Sequence, residues 1–329
     1  MKCTNKLLIS LILILMASMF TGCGDNKIWM PYSVSEKDAS SKDILNTDFS
    51  SKDNYMKAFA ENVAVFSDDV AFENFILNNA DAGILVNVDK NETVFSQNAF
   101  KRMYPASITK ILTALVAVEN CQMDDIITCT EAVEDTGFSD AVVLGLKRGD
   151  KLTLDQALRL ALISSYNDVS IAIAVHVGGD VETFAQMMNE KALSLGATQS
   201  HFANSTGLPD DNHYTTVYDL YLIFNEVIKN PTLLEIIQSK SYQTVYKDIN
   251  GNDINAVANS TNRYFQGMYY PPENITVVGG KTGTTTEAGH CLLLLTKDTA
   301  SIPYISVILK AEGFDNLYNE MTDLLRCTQ

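Results

Sequence analysis

The chain has 329 residues, 46% hydrophobic and 19% charged, with 17 Gly and 7 Pro; this excludes a collagen, a coiled coil and a disordered tail. Its 24 Lys and Arg against 40 Asp and Glu give a net charge of −16, which excludes nucleic acid as a partner. Neutralising phosphates supplies most of that affinity, and this chain has no basic excess to do it with.

The N-terminus carries Lys2 and Lys6, an apolar run over 7–19, then Phe20-Thr21-Gly22-Cys23. A positive start, an apolar stretch too short to span a bilayer comfortably and small residues before a break describe a secretory signal over residues 1–22. The segment resembles a bacterial lipobox, with Cys23 in the place of the lipidated cysteine, although Phe20 stands where leucine is usual. An ordinary cleaved signal is the alternative. Residues 24–56, with Ser40-Ser41-Lys42-Asp43 and Ser50-Ser51-Lys52-Asp53, read as a tether. Apolar positions return over 57–80 (Phe59, Val63, Val65, Phe66, Phe72, Phe75, Ile76) and suggest a helix, so 23–80 form a tether and lead-in.

One domain is expected over 81–329. Ile84, Val86 and Val88 alternate, Asp89-Lys90-Asn91-Glu92 turns, and 93–96 returns, which is a hairpin. After Tyr104-Pro105-Ala106, residues 107–119 form a helix apolar on nearly all sides, which belongs at the centre of the domain. Thr153 and Gln156 make a capping box opening a helix over 154–163, and a second helix over 180–195 ends at Gly196. Helices over 216–228 and 232–238 are separated by Pro231. Strands over 242–246, 254–257, 276–280, 292–296 and 305–309 follow, and a helix over 314–325 closes the chain. This order predicts an α/β (α+β) fold with one sheet, its edge laid down first and the rest at the end, and with domain termini close together.

Three short motifs carry chemistry. Ser107-Ile108-Thr109-Lys110 places a hydroxyl and an amine one helical turn apart on one face, and occurs once. Pro105 makes Ser107 the start of a helix, where free N–H groups favour developing negative charge. An amine embedded in an apolar helix loses solvation, which lowers its pKa and makes Lys110 a feasible base. Ser164-Ser165-Tyr166-Asn167 interrupts two apolar segments; its polar groups either face a cavity or cap the next helix through Ser165 or Asn167. Gly279-Gly280-Lys281-Thr282-Gly283-Thr284 continues a strand, and its glycines mark close approach of another backbone or ligand. Lys281 is then a charge beside a groove or a solvated edge-strand lysine.

Ser-x-x-Lys, Ser-x-Asn 58 residues later and Lys-Thr-Gly 116 beyond that together resemble the penicillin-recognising serine acyltransferases. Ala82-Gly83-Ile84-Leu85-Val86, Tyr104-Pro105-Ala106-Ser107, Asn204-Ser205-Thr206-Gly207-Leu208, His213-Tyr214-Thr215-Thr216 and Ala288-Gly289-His290-Cys291 are similar to the D-alanyl-D-alanine carboxypeptidase branch. The resemblance runs from about Asp81 to the C-terminus. It implies a β-lactamase/transpeptidase-like fold, an antiparallel sheet flanked by a mostly helical subdomain. It also implies that Ser107 attacks the carbonyl between two D-alanines of a peptidoglycan stem peptide, with Lys110 accepting its proton and Ser165 relaying one to the leaving amine. Asn167 would hold the substrate amide, and Lys281 and Thr282 the terminal carboxylate, along the strand through Gly283 and Thr284. The N–H groups of Ser107 and Thr284 would form the oxyanion hole. Lys281 is expected to stay charged and to help keep Lys110 neutral. β-Lactams would be inhibitors, and no metal or organic cofactor is needed.

His176, His201, His213 and His290 sit in no Ser-His-Asp pattern, and no G-x-S-x-G occurs. The signal segment implies export, and the chain is expected to have no C-terminal β-domain, with the Cys23 lipid as the membrane anchor on the outer face. A DD-endopeptidase, a β-lactamase of the same fold and a non-enzymatic β-lactam sensor are the alternatives. For a β-lactamase base, Asp180, Glu182 and Glu190 lie on or cap a helix whose Val181, Phe184, Met188 and Leu193 turn inward, leaving the loop residues Asp210 and Asp211. Cys121, Cys129, Cys291 and Cys327 match no zinc spacing; Cys121 and Cys129 could be bridged after export or remain thiols.

Overall fold

The computed structural model describes residues 62–328, so the signal, Cys23 and most of the tether lie outside the described residues. The expected hairpin forms from β1 (Ala80–Asn87) and β2 (Glu92–Gln97). A 3-10 turn at Ala106–Thr109 leads into α1 (Lys110–Asn120), in which every residue from Lys110 to Ala117 is buried. Short strands β3 (Ile126–Thr128) and β4 (Lys151–Thr153) precede five helices: α2 (Leu154–Ile163), α3 (Asn167–Gly178), α4 (Val181–Ser194), α5 (Val217–Val227) and α6 (Pro231–Gln238). Then come β5 (Ser241–Lys247), β6 (Asp253–Asn259), β7 (Thr276–Thr285), β8 (Gly289–Lys297), β9 (Pro303–Ala311) and α7 (Phe314–Arg326).

Local chemistry sets the helix ends. Thr153 Oγ1 accepts from Gln156 N at 3.2 Å while Thr153 N donates to Gln156 Oε1 at 2.8 Å, the reciprocal pair expected of a capping box. Pro231 starts α6 instead of merely separating two helices: it occupies the first turn, where its missing N–H costs nothing, and Asn230 Oδ1 caps Thr232 N and Leu233 N.

The strands build two antiparallel sheets, not the single one expected. β2-β1-β9-β8-β7 form five strands, and β3-β4-β5-β6 form a separate four. The strands at 241–247 and 253–259 join the smaller sheet, a choice set by non-local pairing partners. Their alternating exposure needs only one covered face, which the small sheet provides. The edge of the larger sheet is laid down first, as expected, by the hairpin: β2 is outermost and β1 lies between β2 and β9. The domain's start and end do meet, Ala80 pairing with Ala311.

The larger sheet is covered on both faces because its strands alternate between two cores. Ile84, Val86, Leu293, Leu295, Val307 and Leu309 point into the core with α1 and α5. Leu85, Leu292, Leu294 and Ile308 point into the core with Leu317, Met321 and Leu324 of α7. β7 is left at the edge, facing the helical side of the molecule.

Residues 62–79 are not helical. Apart from Phe75 N donating to Phe72 O, many of their backbone groups are satisfied by the body, largely by its side chains. Ala64 N donates to Tyr221 Oη at 2.9 Å, and Tyr218 Oη donates to Ala64 O at 2.9 Å. Asn78 N and Asn79 N both donate to Glu320 Oε1, at 2.7 and 2.5 Å. Phe66 packs on Tyr218 and Phe75 on Phe95, so the segment is a strap between two cores. A second departure is Leu193, 64% exposed: the inward row of α4 is Phe184, Met188 and Ala192, and Leu193 is one helical step off it. All four described cysteines are free, so no Cys121–Cys129 bridge forms.

Candidate active site

The 3-10 turn, the start of α3 and the edge strand β7 bring the three motifs to one cleft. Ser107, half-buried, lies not in the first turn of an α-helix as expected but in the 3-10 turn ahead of it; Lys110 is the first α-helical residue. The tighter turn keeps the hydroxyl and amine on one side. Lys110 Nζ lies 3.0 Å from Ser107 Oγ, 2.8 Å from Asn167 Oδ1 and 2.7 Å from the Thr206 carbonyl oxygen. The Thr206 carbonyl can only accept. Asn167 is oriented by its own Nδ2, which donates to Val142 O at 3.0 Å, so its Oδ1 also accepts. Two amine hydrogens are therefore committed, and the third valence points at the serine oxygen. In the neutral amine that position is a lone pair, and Ser107 Oγ–H donates into it.

Burial favours that neutral form. Lys110 is 1% exposed, and its pKa is pulled well below the ordinary lysine value by burial first and by the Lys281 charge second, with Asp168 pulling the other way. Lys281, also 1% exposed, is itself brought down by burial to about 7, so the expected permanent charge on Lys281 does not hold in the free site. Its Nζ donates to Ser165 Oγ at 3.0 Å and to Thr282 O at 2.9 Å. The solvated edge-lysine reading of Lys281 therefore fails.

The helix-cap reading of the second motif also fails, since Tyr166 is the N-cap of α3 and no side chain caps it. Ser165 has φ +65°, and Ala106, just before Ser107, has φ +48°. Such left-handed conformations cost non-glycine residues about 1–3 kcal/mol and persist only where the surroundings impose them. Here the surroundings are tight. A Cβ on Gly207 would lie 1.9 Å from Ala106 O, and one on Gly283 would lie 2.8 Å from Pro105 O and 3.1 Å from Ser107 N. Only glycine lets the 204–208 loop and β7 press on the Ser107 turn from two sides.

Space remains on both sides of Ser107. One depression of about 150 Å³ is lined by Ser107, Ser165, Asn167, Leu208, Thr284 and Glu287 among others. The other, about 400 Å³, is lined by Ser107, Ser165, Thr261, Arg263, Thr282, Gly283 and Thr284. Thr282 Oγ1 shares a 2.5 Å hydrogen bond with Thr261 Oγ1, and Thr284 Oγ1 one of 3.2 Å with His290 Nδ1. Among the described residues, no group of three metal-ligating side chains lines the cleft.

Sequence reasoning missed four contributors. The Thr206 carbonyl orients Lys110 but belongs to the backbone, which no residue type announces. Asp168, buried, accepts from the amides of Leu144, Gly145 and Leu146 at 2.7–2.9 Å and so holds the loop that positions Asn167. His213 receives Ala203 N–H on Nδ1 at 3.2 Å, so its Nε2–H donates to Thr109 Oγ1 at 2.8 Å behind the nucleophile turn. Burial brings His213 down to about 4, consistent with that neutral tautomer. Arg263 stacks its guanidinium 3.5 Å from the Phe314 ring centroid on the wall of the larger depression.

The D-alanyl-D-alanine carboxypeptidase DacF of Bacillus subtilis is 31% identical over 218 residues, 65% of this chain and 53% of that relative. The D-alanyl-D-alanine carboxypeptidase DacC of Escherichia coli is 29% identical over 255 residues, 75% of this chain and 60% of that relative. The chain thus spans only 53–60% of the length of these curated relatives. The Streptomyces K15 DD-transpeptidase superposes with TM-score 0.69 at 25% identity, covering 76% of this chain and 96% of that one. Penicillin binding protein 5 from Haemophilus influenzae gives TM-score 0.66 at 25% identity, covering 75% and 70%. Residues 73–313 match the Peptidase S11 family, D-alanyl-D-alanine carboxypeptidase, and this chain belongs to that family.

Proposed function

We propose that this protein is a serine-type D-alanyl-D-alanine carboxypeptidase that trims peptidoglycan stem pentapeptides through an acyl-serine ester, and that β-lactams acylate the same serine. The observation that carries the reading is the Lys110 amine, 3.0 Å from Ser107 Oγ with its other two hydrogens committed to acceptors. Neutral Lys110 takes the Ser107 proton as Oγ attacks the penultimate carbonyl. β7 is an edge strand, so an extended peptide can lie along it, with Thr284 N–H and Ser107 N–H donating to the developing oxyanion. Ser165 Oγ accepts from Lys281, which leaves its own hydrogen free to turn to the leaving amine. The terminal carboxylate meets Thr282, Thr284 and Arg263 on the cleft wall, with the Lys281 charge directly behind. The proton taken by Lys110 is passed on through Ser165 to the leaving amine, so Lys110 is neutral again; it then accepts the proton of the water that cleaves the ester and returns it to Ser107 Oγ.

Digestion of muropeptides by the purified protein is expected to release free D-alanine from pentapeptide ends, read by mass. Ser107→Ala is expected to abolish both this and covalent labelling by a fluorescent penicillin. Persistent labelling of Ser107→Ala sinks the assignment, and cross-linked dimers cut to monomers would make the enzyme an endopeptidase.

The two lysines set the pH profile. kcat/KM follows the free enzyme, so it is expected to rise on the acid side as Lys110 loses its proton. It then falls on the alkaline side from about pH 7 as Lys281 loses its own. Lys281→Arg holds its charge at every accessible pH, so it lowers the rate but removes the alkaline limb. An alkaline limb unchanged in Lys281→Arg refutes this.

A β-lactamase needs a placed base to clear the acyl enzyme. Asp180, Glu182, Glu190, Asp210 and Asp211 do not line either depression at Ser107; the acids that do are Asp140 and Glu287, both exposed. A solvated rim carboxylate lacks the fixed position of a deacylating base. The penicilloyl ester is therefore expected to persist for minutes or longer in a mass time course. Clearance within seconds with sustained turnover would move the reading to β-lactamase.

We also read the catalytic domain as 81–329, the enzyme as exported, and Cys23 as a lipid anchor to the outer face of the membrane. Lys2, Lys6 and the apolar run over 7–19 support this, and no described helix is long and apolar enough to cross a membrane. Cys23→Ser is expected to move the protein from the membrane to the soluble fraction with its penicillin labelling intact. Retention of Cys23→Ser through a high-salt wash would overturn the lipid anchor.

A further inference from the structure

At the end of α1 remote from the cleft, three side chains from distant sequence converge. Cys121 follows the last residue of α1, Asp125 lies in the turn after it, and His176 is in the final turn of α3. One ligand atom from each, Sγ, a carboxylate oxygen and an imidazole nitrogen, lies within 4.8 Å of both others, and all three residues are half-buried. Four-coordinate zinc, with bonds of about 2.0–2.3 Å, spaces such ligands roughly 3.3–3.8 Å apart, so small side-chain rotations close the site.

The frame is built by hydrogen bonds that do not consume the donors. Cys121 N donates to Ala117 O at 3.0 Å, and Asp125 N donates to Gln122 O at 3.1 Å. Gln122 N donates to Asp125 Oδ2 at 2.8 Å, leaving lone pairs on both carboxylate oxygens. Among the described residues Asp125 makes no ion pair; the nearby Lys191 is engaged by Glu119 at 2.5 Å. A carboxylate with no cation beside a thiol and an imidazole is a charge arrangement that a divalent ion completes.

We propose that Cys121, Asp125 and His176 form a three-ligand site for a borderline-soft divalent cation of the zinc type, with water in the fourth position. Sulfur and imidazole donors exclude magnesium and calcium, which take oxygen ligands. Binding breaks the Cys121 S–H bond, releases its proton to solvent and forms the metal–thiolate bond, so affinity rises with pH. α1 carries Lys110 at its start and α3 carries Asn167 at its start, while the ions' ligands sit at their far ends. At 1.5 Å per residue, the 11 residues of α1 put the cation about 16 Å from the lysine end of that helix. The cation is structural: it clips together the two helices whose leading ends meet at Ser107.

The untagged full chain, stripped with a chelator, is titrated with Co²⁺ and then Zn²⁺. One equivalent of Co²⁺ should produce a thiolate-to-cobalt absorption band in the near ultraviolet, which Zn²⁺ abolishes by displacement, and Zn²⁺ should raise the thermal midpoint. Cys121→Ser should lose the band, and His176→Gln should weaken Zn²⁺ binding at least tenfold, both with unchanged penicillin labelling as proof of folding. A band that survives Cys121→Ser, arising from other thiols of the chain, overturns the proposal. So does a Zn²⁺ affinity or thermal shift that is the same in His176→Gln as in the wild type. Should Cys121→Ser fail to fold, the His176→Gln comparison decides alone.

Discussion

Two lysine ammonium groups are enclosed behind one serine, and the rest of the site follows from the cost of burying them. An isolated charge taken out of water is so unfavourable that the group gives up its proton unless it is paired. Lys110 has no carboxylate within hydrogen-bonding reach; its acceptors are an amide oxygen and a peptide carbonyl, and its third partner is the Ser107 hydroxyl. Such neutral acceptors fix the nitrogen in place without restoring the charge. Asp168 lies close enough to raise the Lys110 pKa, yet its oxygens are spent on the amides of Leu144, Gly145 and Leu146. The carboxylate thus stabilises a loop and leaves Lys110 a base. Lys281 differs by degree: near its pKa in the free site, it becomes fully charged when an anion arrives beside it, since an opposite charge favours the ammonium form. A carboxylate-bearing ligand would charge Lys281, and that charge in turn depresses Lys110 further. In the proposed function, substrate binding and base activation are thereby coupled electrostatically.

Holding two amines this way requires a rigid frame, and the strained residues show where it presses. Ala106 and Ser165 keep left-handed φ angles on either side of the cleft, at a cost of a few kcal/mol together. Gly207 against the Ala106 carbonyl and Gly283 against Pro105 and Ser107 allow no room for relaxation. The neutral His213 bonded to Thr109 fills the space behind the turn. These contacts come from the 204–208 loop, the edge strand β7 and the loop that precedes α5, so the geometry of Ser107 is determined from three directions rather than by its own turn.

What could be read from the sequence was whatever depends on neighbours a few residues away. The Thr153–Gln156 box, the hairpin expected over 84–96 and the central helix expected over 107–119 are local patterns: the boxed helix has its expected ends, the hairpin runs longer, over 80–97, and the α-helix starts three residues late, at Lys110, behind a 3-10 turn. The three motifs were legible because their spacing and order are a signature, although each alone had a bland competing explanation. The bonding of Asn167 is where that ambiguity resolves: a helix-initial asparagine usually caps, but this one turns its oxygen to Lys110. Non-local choices stayed hidden. Nothing near Tyr242 or Ile254 says which sheet they join, and the apolar residues over 62–79 have the spacing of strap anchors and of a helix face alike. Arg263 and the Thr206 carbonyl lie on loops without periodicity, and Cys121, Asp125 and His176 meet only because α1 and α3 pack together.

The net charge of −16 completes the electrostatic picture, because the proposed substrate is an anion meeting an acidic protein. At physiological ionic strength exposed charges are screened beyond about 8 Å, so most of the surface carboxylates act weakly on a ligand already in the cleft. Lys281 is screened far less, being enclosed in low dielectric, and Arg263 stands on the wall with its face against Phe314. In the proposed function, Asp140 and Glu287 on the rim then oppose entry of anions generally, while the interior favours a carboxylate that reaches Thr282 and Thr284. Recognition by this arrangement rests on short-range fit along the β7 edge. Long-range attraction contributes little, and an anion without an extended peptide to hydrogen-bond that edge gains nothing to offset the rim.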